Sequence, residues 1–386
     1  MGNKLYSKGL EGVVIDESRI CKVDGLHGRL YYRGYAIEEL AAYSSYEEVC
    51  YLLLFERLPT MAELRDFSER MRNSRPLSQE VLNMIQSFPP AAHPMELLQS
   101  VISYLSGCVK HRIEHSITCN CRDTLYQVSQ IAGIVAAYYR FRENREYVTP
   151  RRDLSHGANF LYMLHGTEPD PLEGEIMDKC LILHAEHDFN ASTFAARVVA
   201  STLSTCYCSI SSAIGALYGS LHGGANQRVM EMVEEIGDST HVAAWMDKAF
   251  HEKRKVMGMG HREYKAKDPR AHIIETFLKQ LSEKKNDFRY YEILKEVEIL
   301  FRGNMEKEGK PIYPNVDFYS GAVYRLLGIP PMLFTPIFAM ARVAGWLAHI
   351  LEQRSDNRIY RPESLWTGPD PRPYIPIEKR ESAIFS

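Results

Sequence analysis

Cysteine is scarce for a chain of this length. Eight among 386 residues are too few for a disulfide scaffold. Several stand in apolar helical context (Cys50, Cys108 and Cys180), so buried free thiols in a reducing cytoplasm are expected. The pairs Cys119-Asn-Cys121 and Cys206-Tyr-Cys208 lack a second pair at zinc-ribbon spacing, and no metal site is expected from them. An excess of one charge is missing too. Lys and Arg number 46 against 49 Asp and Glu, a net charge of −3. With both signs interspersed, neither nucleic acid nor a membrane surface is an expected partner. The longest low-charge runs are broken by Arg, Ser, Thr and Gly or keep a helical face, as core helices do. The opening Met-Gly-Asn-Lys-Leu-Tyr-Ser-Lys lacks the apolar centre of a secretory signal, and Tyr6 stands where a myristoylation pattern wants Ser or Thr. No segment repeats at a fixed period, and none is of low complexity.

What remains is the profile of a globular chain, 45% hydrophobic and 25% charged, long enough for a large core and two domains. Strand signals are confined to residues 5–35. There Val13-Val14-Ile15 and Arg29–Arg33 flank the turn-rich Asp24-Gly25-Leu26-His27-Gly28, which predicts a small sheet or hairpin. Beyond it the signals are helical. Ser45 with Glu48 and Thr60 with Glu63 have capping-box spacing ahead of apolar-periodic runs. Pro76, Pro89-Pro90, Pro94 and the Pro- and Asp-rich stretch 168–174 separate further helices. Strands never alternate with helices, which argues against a parallel α/β sheet. The expectation is an all-α fold with a small N-terminal β element.

Chemistry gathers around Leu221-His222-Gly223-Gly224-Ala225-Asn226. It follows a run from Phe189 to Leu221 whose only formal charge is Arg197, and such a run is buried on most sides. Val229, Met230, Val233 and Ile236 then recur at helical spacing. His222 thus falls in a glycine-hinged turn between a buried helix and the N-terminus of another, where an imidazole can be held neutral. Read by itself, this is as well explained by an ordinary helix–helix turn.

Three further stretches add to it. In Val256-Met257-Gly258-Met259-Gly260-His261 the glycines allow close backbone approach to a ligand. Asp268-Pro269 is a strong helix start that places Arg270 in the first turn, where an anion would meet guanidinium and free N–H groups together. Asp317 lies near the start of a helix in Pro314-Asn315-Val316-Asp317-Phe318-Tyr319-Ser320-Gly321. Arg342 is the sole formal charge between Met332 and Ile350, so its anion must come from elsewhere in the fold or from a ligand. Arg361 closes the helical part of the chain. His184 and His187, three apart, fit one helix face and read by themselves as a structural pair. Three acid–base candidates and three arginines suit a small substrate with more than one carboxylate, handled by proton abstraction beside a carbonyl.

These stretches, in this order, resemble the citrate synthase family, which includes the 2-methylcitrate synthases, and the resemblance runs from Gly9-Leu10-Glu11-Gly12-Val13 to Arg361. It implies a citrate-synthase-like two-domain helical fold of the compact archaeal and bacterial form. A large domain, 1–220 with 326–386, would carry the dimer contact, and a small domain, 221–325, would close over the substrates. The implied reaction joins acetyl-CoA to oxaloacetate and hydrolyses citryl-CoA, with propionyl-CoA as the alternative acyl donor. A non-catalytic protein of the same fold is a second alternative. His222, His261 and Asp317 match the catalytic residues. His187, Arg270, Arg342 and, from the partner subunit, Arg361 match the oxaloacetate ligands, which overrides the structural reading of His187. Val256, Met257, Gly258 and Asn315 would lie near the CoA adenine, and Lys265 and Lys310 near its phosphates. No metal or other cofactor is implied, since the CoA thioester is itself a substrate. A cytoplasmic homodimer is expected.

Overall fold

The computed structural model describes residues 7–108 and 121–380. Its β element is a three-stranded antiparallel sheet, β1 (Cys21–Asp24), β2 (Arg29–Tyr32) and β3 (Tyr35–Ala36), in that spatial order. Cys21 pairs with Tyr32 and Asp24 with Arg29, so the hairpin turn is Gly25–Gly28. The expected strand at Val13–Ile15 does not form. Val14 is 88% exposed, and no sheet edge reaches it to pair its backbone.

Sixteen α-helices follow among the described residues. They are α1 (Ile37–Tyr43), α2 (Tyr46–Phe55), α3 (Met61–Asn73), α4 (Gln79–Ser87), α5 (Pro94–Cys108), α6 (Cys121–Arg142), α7 (His156–His165) and α8 (Pro171–His184). After them come α9 (Ala191–Ser201), α10 (Cys206–Tyr218), α11 (Ala225–Ile236), α12 (Val242–His251), α13 (Pro269–Lys285), α14 (Arg289–Lys307), α15 (Val316–Leu326) and α16 (Phe334–Ser355). Their starts are chemically marked. Thr60 and Glu63 form a reciprocal capping box on α3, worth about 1 kcal/mol. Ser45 caps α2 by accepting from the Glu48 N–H. Asp268 caps α13, with Pro269 at its first position, as the sequence predicts.

The low-charge run 189–221 is two helices rather than one. Leu203 takes a left-handed φ of 62°, and Thr205 starts α10 by accepting from the Cys208 N–H. Arg197, the run's one charge, is buried on α9. Helix α16 is long and apolar, but 94% of its most apolar window is buried in the protein. It is the core helix against which α2, α6, α8, α9 and α10 pack. Cys21, Cys50, Cys108, Cys180 and Cys208 are free thiols. Cys206 is disulfide-bonded and Cys108 is exposed, and both depart from the expectation of buried free thiols. Of the two Cys-x-Cys pairs, Cys119 lies outside the described residues. Among the described residues no group of three His, Cys, Asp or Glu is placed to hold a metal ion.

The small sheet has a positional role. Buried Tyr32 on β2 accepts from the Glu186 N–H at 3.2 Å and reaches the Glu186 carbonyl at 2.9 Å. That fixes the turn leaving α8, and with it the neighbouring His187. The hairpin tip touches the loop after His261, where the Lys265 N–H donates to the Gly25 carbonyl at 2.8 Å. A Cβ on Gly25 would stand 2.1 Å from the Glu263 carbonyl oxygen, so only glycine permits this approach.

Candidate active site

His222 lies in the turn between α10 and α11, as predicted. Its Nε2 accepts from the Ser192 backbone N–H at 3.3 Å and lies 2.9 Å from Ser192 Oγ. A backbone N–H can only donate, so Nε2 is the unprotonated nitrogen and the ring proton sits on Nδ1. Ser192 is itself held by the Trp346 indole N–H at 3.2 Å. Desolvation, followed by the Arg342 charge, lowers the His222 pKa to about 4. The imidazole is therefore neutral at pH 7, as the sequence implies. Burial, rather than the helix dipole, is the main reason.

His261 has the opposite tautomer. Its Nδ1 accepts from the backbone N–H groups of Glu263 at 3.0 Å and Tyr264 at 3.3 Å, which leaves the proton on Nε2. Desolvation and then the Arg270 charge bring its pKa to about 4. The His187 ring centroid is 5.2 Å from that of His261, and His187 Nε2 is 3.3 Å from Tyr264 Oη. Burial, then Arg270, His261 and Arg342, keep His187 well below the ordinary imidazole range. The expectation that His184 and His187 share a helix face fails, because α8 ends at His184 and Asp188 turns the chain with φ 53°. His184 stays in the core, its Nδ1 2.8 Å from the Cys180 carbonyl. His187 enters the cleft.

Arg270 forms a buried fork with Asp268, Nε to Oδ1 at 3.0 Å and Nη2 to Oδ2 at 2.8 Å. Asp268 Oδ2 also accepts from the Val316 N–H at 3.2 Å. One carboxylate thus fixes Arg270 and the first turn of α15, where Asp317 stands. Burial opposes the Arg270 charge, but Asp268, with Tyr264 and Tyr32, more than offsets it and the pKa is raised. Asp317 is not the cap of α15. Asn315 takes that role, its Oδ1 accepting from the Asp317 N–H at 3.0 Å. The Asp317 carboxylate accepts no hydrogen bond among the described residues. Desolvation raises its pKa to about 6, against the pull of Arg270. Arg342 on α16 is buried, with Nε donating to the His184 carbonyl at 2.7 Å and its guanidinium 4.6 Å from the Phe338 ring centroid. Unlike Arg270 it forms no ion pair among the described residues. Its pKa is lowered, first by burial.

The groups converge. His222 and Asp317 line one small cavity of about 10 Å³, room for a single water. Arg270 and Arg342 both act electrostatically on His187 and Asp317. A neighbouring cavity of about 630 Å³ has His261 and Tyr264 in its wall, with Val256, Lys265 and Lys310. Lys253, Arg254 and Lys255 line it as well. This basic triplet is not among the site residues the sequence predicts, although its charge is visible there. Met257, Gly258 and Asn315 are not among the lining residues. Gly258, at φ +76°, is crowded by Phe318 and Val229, and Asn315 N–H donates to its carbonyl at 2.9 Å. Arg361 is exposed and makes no hydrogen bond or ion pair among the described residues. It does not join the site of its own chain. Ser192 and Tyr264 had no sequence signal, because each matters only through a partner brought close by folding.

Two neutral histidines of opposite tautomer, an unbonded carboxylate and two buried guanidiniums are groups that can move a proton beside an anion. A family profile described as "Citrate synthase, C-terminal domain" matches residues 9–363, and the chain belongs to the citrate synthase family. It is accordingly an acyltransferase that converts the acyl group to alkyl on transfer. A citrate synthase from Synechocystis is 45% identical over 99% of this chain and 96% of its own length. A 2-methylcitrate synthase from Shewanella oneidensis is 38% identical over 98% of this chain and 99% of its own. The citrate synthase of Thermoplasma acidophilum, solved as a ternary complex with carboxymethyl coenzyme A and oxaloacetate, is 33% identical. It superposes with a TM-score of 0.90, covering 98% of this chain and 100% of that one.

Proposed function

We propose that this enzyme condenses acetyl-CoA with oxaloacetate and hydrolyses the citryl-CoA formed, releasing citrate and CoA. The observation that carries the reading is the shared cavity of Asp317 and His222. There a carboxylate made more basic by burial faces an imidazole whose one proton is on Nδ1. Asp317 takes a proton from the acyl methyl carbon while His222 Nδ1–H donates to the thioester oxygen, giving an enol nucleophile. His261, with its proton on Nε2, polarises and then protonates the keto oxygen of oxaloacetate as the carbon–carbon bond forms. His187, Arg270 and Arg342 hold the keto acid. The thioester is afterwards hydrolysed.

CoA occupies the cavity walled by Val256, Lys265 and Lys310, its phosphates near the lysines and the basic stretch 253–255. Residues 221–325 act as a small domain that moves over 1–220 and 326–386. A site with room for one water between base and imidazole must open to admit a thioester, and closing excludes solvent during condensation. The working form is a cytoplasmic homodimer in which Arg361 of the partner subunit completes each site. In support, Leu365, Trp366, Tyr374 and Ile377 are each more than 60% exposed on the lone subunit, an apolar tail suited to lying on a partner.

Thiol release on mixing oxaloacetate with acetyl-CoA or propionyl-CoA tests this. A higher kcat/KM for acetyl-CoA is expected. Preference for propionyl-CoA would make the enzyme a 2-methylcitrate synthase, a choice that one methylene decides by about 1–3 kcal/mol.

A further inference from the structure

Arg197 is the only charge in its stretch of sequence, it is almost fully buried, and no step above uses it. Its donors are all engaged. Nε donates to Gln353 Oε1 at 3.1 Å and Nη1 to Glu352 Oε2 at 3.0 Å. Nη2 donates to Asp16 Oδ2 at 2.7 Å, and the guanidinium lies 4.5 Å from the Phe189 ring centroid. Burying a guanidinium is costly unless its surroundings are fixed in return. Here the partners are the end of α16, where the chain leaves the core, and Asp16 of the N-terminal segment.

The same Asp16 oxygen accepts from Tyr360 Oη at 2.8 Å. The Tyr360 N–H donates to Ser201 Oγ at 3.1 Å, and Asn357 Nδ2 donates to the Ser201 carbonyl at 3.0 Å. The Tyr360 ring also meets Phe194 edge-on at 5.7 Å. Residues 353–360 are therefore pinned to α9. Arg361 is the first residue beyond the clamp, exposed and free of ion pairs among the described residues. A long side chain that must reach a site on another subunit needs a fixed root.

We propose that Arg197, acting through Asp16 and Tyr360, is a positioning residue for the partner subunit's active site, because it fixes the direction in which Arg361 leaves its own subunit. This rests on the reading that Arg361 works in trans. Arg197 also faces its own site, since Nη1 donates to His349 Nδ1 at 3.2 Å and His349 Nε2–H donates to Glu186 Oε1 at 2.9 Å, next to His187. A role exerted through that side is the rival outcome.

Three variants and two heterodimers separate these. Asp16→Ala and Tyr360→Phe, at partly exposed positions, should raise the KM for oxaloacetate by about tenfold, the worth of a charge-assisted hydrogen bond, with the KM for acyl-CoA unchanged. Arg197→Gln should raise it further. Arg197→Gln is then co-expressed with Asp317→Asn, the heterodimer isolated, and its activity read at an oxaloacetate concentration where both parent homodimers are nearly silent. If Arg197 acts through the tail, both lesions fall on one site, the other is intact, and about half of wild-type activity returns by the site counting of a symmetric dimer. Where Arg197→Gln does not assemble, Asp16→Ala takes its place. The Arg361→Ala with Asp317→Asn heterodimer is the control. Recovery in the control without recovery in the Arg197 pair would overturn the positioning role and leave Arg361 in trans. No recovery in either would overturn the trans reading and this proposal with it. Unchanged oxaloacetate KM in both mild variants would also overturn the proposal.

Discussion

Two groups of ionisable residues in this molecule, one partly and one fully buried, share a composition and differ in purpose. One is the cleft of His187, His222, His261, Asp317, Arg270 and Arg342. The other lies where α2, α7 and α8 meet and holds Glu47, Arg75, His156 and Asp178, each at most 5% exposed. In the second group most charged atoms have protein partners. Asp178 accepts from the Tyr46 N–H and the Gly157 N–H, both at 2.9 Å, so it holds the first turns of two helices at once. Arg75 donates to the carbonyls of Arg151 and Leu154 at 2.9 Å and faces Glu47 at 3.4 Å. The cleft does the reverse. Among the described residues Asp317 and Arg342 have no ion-pair partner, and His222 and His261 each have one nitrogen fixed by backbone N–H groups and the other left over. A buried charge that the fold satisfies is architecture. One left unsatisfied is waiting for a ligand.

The largest effect expected from disturbing this contrast is on the base. Asp317→Asn keeps the size of the side chain but cannot accept a carbon proton. Turnover should fall by about 10³-fold, within the range of general-base contributions, as read by steady-state thiol release. A loss below tenfold would return the base role to another group.

The structural cluster should answer to pH through stability. Among the described residues His156 has no hydrogen-bond partner at either ring nitrogen, and desolvation brings its pKa to about 3 from an ordinary 6.5. The folded state thus binds fewer protons than the unfolded, and stability falls as pH drops below 6.5. At pH 5 the cost is about 2 kcal/mol, 1.5 pH units at about 1.36 kcal/mol each. His156→Phe removes it. Its urea-unfolding free energy, relative to the wild type, should be about 2 kcal/mol more favourable at pH 5 than at pH 8. Equal differences at the two pH values would show that His156 titrates normally. Glu47, raised to about 7 by burial and then by Asp178, has the opposite sign. It loses stability as pH rises from about 4.5 to 7, and comparing each variant with wild type at both pH values keeps that contribution out of the result.

The cleft should answer to pH through rate. Asp317 must be ionised to act, and its pKa is about 6, whereas His222 and His261 are already neutral above pH 5. The acid limb of kcat/KM for acyl-CoA should therefore be a single ionisation near pH 6. Two limbs, or one near 4, would mean that burial does not act on Asp317 as described.

Much of the cleft was legible in the sequence because its residues sit in short local signals. Asp268-Pro269 is a cap with a pre-set φ, and Gly223-Gly224 is a turn that leaves His222 at a helix end. Gly258 stands where backbone packs on Phe318. The capping pair Thr60 and Glu63 was legible for the same reason. What escaped depends on distant partners. That α8 stops at His184 is tied to Tyr32, 154 residues before the Glu186 it binds. The break in the run 189–221 is a left-handed Leu203, which no propensity marks. Val13–Ile15 has strand composition but no edge to pair with. The second cluster was invisible, since Asp178 accepts from first-turn N–H groups of α2 and α7 that are 132 and 21 positions away.

We propose that the open charges of the cleft hold the keto acid while Asp317 serves only the chemistry. Calorimetric titration of oxaloacetate into Asp317→Asn, alone and combined with Arg342→Leu, tests it most directly. The single variant should bind oxaloacetate as the wild type does, and adding Arg342→Leu should weaken binding by about 100-fold, the roughly 3 kcal/mol of a buried charge contact removed. Loss of binding in the single variant, or full binding in the double, would contradict the claim.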